Sequence, residues 1–150
     1  MKPSRVVLLG LLGLGGALTV VACGKEIGRV PLRDQGAGET TVEATQGKPL
    51  ALWTSLDVKY TGAFAAHYDI EMLQGGALVG KTQCNPLDVS TRLSSKQTTF
   101  GDDHAMSWQG KMRCEIALAK GGPTTVRAKL IIDRRPASLA IKDISLVVKE

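Results

Sequence analysis

Residues 64–83 read Phe64-Ala-Ala-His-Tyr-Asp-Ile-Glu-Met-Leu-Gln-Gly-Gly-Ala-Leu-Val-Gly-Lys-Thr-Gln83. Phe64, Ala66, Tyr68, Ile70 and Met72 alternate with His67, Asp69 and Glu71. A period of two is that of a half-buried strand, because successive side chains leave a strand on opposite faces. Gly75-Gly76 then supplies the positive φ that a tight hairpin turn needs, and residues 77–83 return. Upstream, Leu50, Leu52, Thr54, Leu56, Val58 and Tyr60 repeat the alternation, with Trp53, Ser55, Asp57 and Lys59 opposite. Downstream, Met112, Cys114, Ile116 and Leu118 form another inward set, and Trp108 shares their parity. After Gly121-Gly122-Pro123 come Thr124, Val126, Ala128, Leu130 and Ile132. The last run changes parity between Ile141 and Ile144, so a β-bulge near Lys142-Asp143 is expected. No stretch carries a helical period of useful length. The expectation is an all-β chain of about seven to eight strands in an antiparallel two-sheet sandwich, or a closed barrel.

The N-terminus has a different composition. Lys2 and Arg5 precede sixteen uncharged residues, 6–21, which contain Gly10, Gly13, Gly15 and Gly16. A spanning helix needs about 20 apolar residues, so this stretch reads as an export signal. Its end, Val20-Val21-Ala22-Cys23, resembles the lipobox of bacterial lipoproteins. The resemblance covers the signal alone. It implies that residues 1–22 are removed and that Cys23 becomes an acylated N-terminus. Two or more acyl chains hold a domain stably at a bilayer without a spanning helix. Gly24 follows Cys23, where Asp favours inner-membrane retention in enteric-type lipoproteins; the resemblance therefore implies the outer membrane of a bacterial envelope. Residues 23–47, with Gly28, Pro31, Gly36 and Gly38, read as a tether or leader in which Glu39–Thr45 can form a first strand. Residues 48–150 form the β domain.

Charge and cysteine content narrow the function. Removing Lys2 and Arg5 takes the net charge from +5 to +3, and the remaining charges are interspersed. That is not the clustered footprint of a nucleic-acid binder. Cys84 and Cys114 remain after Cys23 is assigned to lipid. In an oxidising compartment two cysteines pair, and closing a loop of about 31 residues is worth about 3–4 kcal/mol in the chain-entropy treatment. The bridge is expected to pin a long Asn85–Gly110 excursion to the sheets. No Cys-x-x-Cys suggests redox work, and the ligand spacing of a zinc site is missing.

Catalytic signatures are also missing: no Gly-x-Ser-x-Gly, no Walker loop and no dinucleotide fingerprint stands in a strand–turn–helix context. Asp102-Asp103-His104 and Met106 bring cation-binding residue types together, as weak metal candidates by residue type, but a polar turn is the plainer reading. Trp53, on the face opposite Leu52 and Thr54, is the candidate ligand-stacking residue. The expectation is a non-enzymatic, membrane-anchored envelope lipoprotein that needs no cofactor. Its partners would be the bilayer and an envelope protein or polysaccharide, and it would act as a binding or assembly module. The alternative is a ligand-binding domain of the lysozyme-inhibitor class. A hydrolase would need two or more of Asp57, His67, Asp69, Asp102 and His104 to converge in a cleft.

Overall fold

A computed structural model describes residues 24–33 and 36–150. Val20-Val21-Ala22-Cys23 and the rest of the signal lie outside the described residues. The described chain forms nine strands: β1 (Glu26–Pro31), β2 (Ala37–Ala44), β3 (Leu50–Thr61), β4 (Ala65–Gln74), β5 (Ala77–Cys84), β6 (Val89–Phe100), β7 (Asp103–Ile116), β8 (Gly122–Arg134) and β9 (Ser138–Lys149). They make a five-stranded sheet, β1-β9-β3-β7-β6, and a four-stranded sheet, β2-β8-β4-β5, both antiparallel. The sheets face one another as an open sandwich and do not close into a barrel. Only β4–β5 and β6–β7 are hairpins within a sheet; every other connection crosses between sheets.

Alternation builds the core as the sequence anticipates. Leu52, Leu56 and Val58 of β3 meet Tyr68, Ile70 and Met72 of β4, with Leu130 of β8 and Leu146 of β9, all essentially inaccessible. Trp108 and Met112 of β7 join them. Thr54 and Tyr68, both fully buried, satisfy each other across the two sheets at 2.8 Å. The β4–β5 turn uses Gly75 (φ 57°) and Gly76 (φ 82°), two positive values that suit a two-residue hairpin. The register of β9 on β3 slips where Asp57 pairs with Asp143 and Val58 with Ile141, so Lys142 is the extra residue expected there.

Three expectations need correction. Residues 24–47 are not a free leader, because β1 pairs with β9 and β2 with β8. Glycines permit this placement: a Cβ on Gly28 would stand 2.4 Å from Val42 Cγ1, so β1 and β2 approach closely only because residue 28 has no side chain. Gly38 packs in the same way, since a Cβ there would stand 2.9 Å from Val30 Cγ1. The Asn85–Gly110 stretch is not an excursion either; it contains β6 and the first half of β7. Its bridge is present, with Cys84 and Cys114 joined at a Cα separation of 5.7 Å, and it fastens β5 to β7 across the sandwich. Nine strands, rather than seven or eight, follow from these two additions.

β6 escaped the alternation rule for a physical reason. β1 lies against β2 and β7 is bridged to β5, so the fifth strand of the larger sheet has no strand opposite it. Nearly all of β6 is exposed, on both faces. With no core face, no period of two is required. Arg92, Lys96 and a register shift between Leu93 and Lys96, at which Ser94 adopts φ 51°, roughen its free edge. Charges and bulges of this kind discourage edge-to-edge pairing.

Candidate functional site

Trp53 does not form the binding platform. It lies on the outer face of β3 as expected, yet only 3 % of it is exposed. Lys149 of β9 folds over it, with Nζ 4.0 Å from the ring centroid. A long side chain can cover apolar surface with its stem, and the ammonium favours the ring face. Trp108 has a similar cover, with the Arg92 guanidinium 4.4 Å from its centroid.

The exposed aromatic is Phe100, 85 % accessible at the end of β6. Gly101 (φ 57°) and Asp102 turn the chain directly into β7, and a glycine at the first central position suits a type II′ turn. Register places Phe100 beside Asp103 and Thr98 beside Ala105. Continuing across the sheet, Ala105 pairs with Lys59, and Lys59 with Ala140. These residues share the outer face of the larger sheet and bound a cleft of about 410 Å³. Ala105 and Ala140 keep its floor low on either side of Lys59, and Phe100 stands at its β6 edge.

A polar network closes the upper end of the cleft. Thr61 Oγ1 donates to Asp103 Oδ1 at 2.6 Å and receives a hydrogen bond from Ser138 Oγ at 2.8 Å. Two backbone hydrogen bonds, Gly62 N to Asp102 O at 2.8 Å and Ala137 N to Thr61 O at 2.9 Å, tie the adjoining loops to it. Beneath the sheet, on its inner face, Tyr60 stacks on His104 with centroids 4.8 Å apart, and Phe64 leans on Tyr60 at 5.2 Å. Burial pushes the Tyr60 phenol above its ordinary value, so it stays a neutral packing group. The cleft thus sits on a stiff support.

The remaining sequence candidates have other employment. Asp103 is held by Thr61, and His104 is committed to the stack with Tyr60 and to Thr99 at 3.4 Å. Asp102 is exposed in the turn. Among the described residues no group of three or more His, Cys, Asp or Glu side chains is placed to hold a metal ion. His67 meets Asp133 at 2.7 Å and Asp69 at 3.5 Å, on the outer face of the smaller sheet. Both of its ring nitrogens face carboxylates, so neither is aimed at a nucleophile. Asp57, on the outer face of the larger sheet, lies 3.6 Å from Lys142. Of the five candidates for hydrolytic chemistry, only His67 and Asp69 come together, 3.5 Å apart on the outer face of the smaller sheet, and Asp57, Asp102 and His104 lie on the larger sheet and its turn.

A second depression, about 570 Å³, lies on the outer face of the smaller sheet. Most of its charges are engaged: Arg127 binds Glu39 at 2.8 Å, Lys81 lies 3.4 Å from Glu71, and Asp69 accepts a hydrogen bond from Gln83 at 2.7 Å, beside exposed Lys129. This ladder reads as a solvated strand face. Phe100 was missed in the sequence because it belongs to β6, whose lack of alternation hid the strand that carries it. No protein-family model matches the chain, and no curated protein matches it either.

Proposed function

We propose that this protein is a lipid-anchored module of the bacterial envelope that binds another envelope component through the Phe100 cleft and performs no chemistry of its own. The carrying observation is Phe100 itself. A phenyl ring exposed over 85 % of its surface, beside a low alanine floor, is apolar area kept available for contact. Lys59, Thr98 and the Thr61–Asp103–Ser138 network surround it with charge and hydrogen-bonding groups. An aromatic wall with polar groups at its margin suits a polysaccharide or a polar protein loop. The lipobox-like Val20-Val21-Ala22-Cys23 supports placement at a membrane surface.

The test is retention of envelope material by tagged protein, with Phe100→Ala as comparison. The wild-type chain should retain one specific protein or polysaccharide, and Phe100→Ala should reduce retention at least tenfold, the scale expected for an interface anchor worth about 1.4 kcal/mol or more. Its melting temperature should be unchanged, because so exposed a ring supports no core. Equal retention by both chains would remove the cleft from the proposal.

A further inference from the structure

The described chain enters the sandwich almost at once, with β1 beginning at Glu26. Lys25 is already paired with the last residue: Lys25 N donates to Glu150 O at 2.8 Å, and Glu150 N donates to Lys25 O at 2.9 Å. Cys23 is two residues away, so at about 3.5 Å per residue an acylated Cys23 leaves roughly 7 Å of chain between lipid and fold. That is too short to act as a swinging tether. The loops around this point form one continuous surface. Glu150 accepts hydrogen bonds from Thr45 N at 2.6 Å and Thr45 Oγ1 at 2.8 Å. Gly121 packs against the backbone of Ala44 and Gln46, and Gln74 Nε2 donates to Lys120 O at 2.9 Å. The β4–β5 hairpin is thereby drawn to the same end.

This end carries features of an interfacial surface. Leu78 and Val79, just past the Gly75-Gly76 turn, are 58 % and 42 % exposed. They are, with Phe100, the large apolar side chains most open to solvent among the described residues. Lys25, Lys48 and Lys120 are exposed nearby; of the carboxylates at this end, Glu26 is paired with Arg29 at 2.9 Å and Glu150 is turned onto Thr45, which leaves Glu43 exposed in the same depression as Lys25 and Lys48. Aliphatic residues flanked by lysines match the boundary between acyl chains and anionic headgroups.

We infer that the Lys25–Lys48–Lys120 end, with Leu78 and Val79, lies directly on the anionic bilayer surface and holds the strands upright. β3 runs from this end toward the cleft, and Ala51 to Tyr60 spans about 30 Å at ~3.3 Å per residue, so Phe100 would face away from the membrane. The inference rests on the lipoprotein reading of Cys23.

The test uses the full acylated chain in vesicles of phosphatidylethanolamine and phosphatidylglycerol that contain a headgroup-level nitroxide lipid. A fluorophore is attached through Ala77→Cys at the proposed contact or Asp102→Cys at the opposite end. Cys84 and Cys114 are consumed by their bridge and do not take the label. The probe at 77 should be strongly quenched and the probe at 102 should not. Equal quenching, or none at 77, in protein that floats with the vesicles overturns the orientation and leaves the anchor intact. Protein that fails to float in the wild-type form, or floats equally as residues 24–150 without Cys23, overturns the anchor and the orientation with it.

Discussion

Tyr68 and Thr54 show how a single polar contact is used inside an apolar core. The phenol is fully buried, and burial drives its ionisation far above the ordinary range, so it stays neutral and hydrogen-bonded to Thr54. Tyr68→Phe leaves the Thr54 hydroxyl buried without that partner. The expected cost is about 1–3 kcal/mol, read as a lower denaturant midpoint with an unchanged slope. At the surface, the two hydrogen bonds from Thr45 hold the Glu150 carboxyl below its ordinary value of 4.5. A lowered folded value means the folded state binds its proton less readily than the unfolded chain. The resulting stability is therefore present above about pH 4.5 and is lost as pH falls through the folded value. The Glu26 carboxyl, hydrogen-bonded to Arg29, behaves in the same sense. Thermal melts at pH 7 and pH 3 should show a smaller loss for Glu150→Gln than for the unmodified chain. Of the individual residues singled out in sequence, Cys84 and Cys114 were legible because, with Cys23 set aside, two cysteines allow one pairing, and the bridge is present. Trp53 was not, because its cover comes from Lys149, nearly one hundred residues away on a strand that pairs with β3.

Strands that face the core announce themselves, and the others do not. β3, β4 and β8 alternate because each divides most of its side chains between core and solvent, whereas β9 is buried on both faces from Ile144 to Lys149. β6 has water on both faces and is recognisable only through its hydrogen bonds to β7. The junction of these two strands depends on Gly110. A Cβ there would lie 2.9 Å from Val89 Cγ1 and 3.1 Å from Thr91 O, so any side chain pushes against the neighbouring strand. Gly110→Ala should cost about 1–3 kcal/mol through this overpacking. Hydrogen exchange should show the loss concentrated in β6 amides, with β4 and β8 protected as before. Uniform loss over all strands would mean that β6 is integral to the cooperative unit.

For the whole molecule, the decisive feature is how early the chain enters the sandwich. β1 covers the edge of β9, and β2 covers the edge of β8. A chain beginning at residue 48 would expose both edges and the core residues Val126 and Leu146, which pair with β2 and β1. It should aggregate or lack a sharp thermal transition, whereas residues 24–150 should melt cooperatively; size-exclusion chromatography and circular dichroism distinguish the two. The same compact start places the Phe100 cleft at the opposite end from Gly24, with the strands between them as a spacer.

Amino-acid order alone settled the all-β class, the inward residues of the central strands, the Lys142 bulge and the disulfide partners. Each depends on local periodicity or on pairing chemistry, and both can be read along one chain. The participation of residues 26–44, the overhang of β6, the burial of Trp53 and the exposure of Phe100 emerged only from the folded arrangement. Each depends on what lies across a sheet or opposite a face, and that is set by strand order rather than by neighbours in sequence.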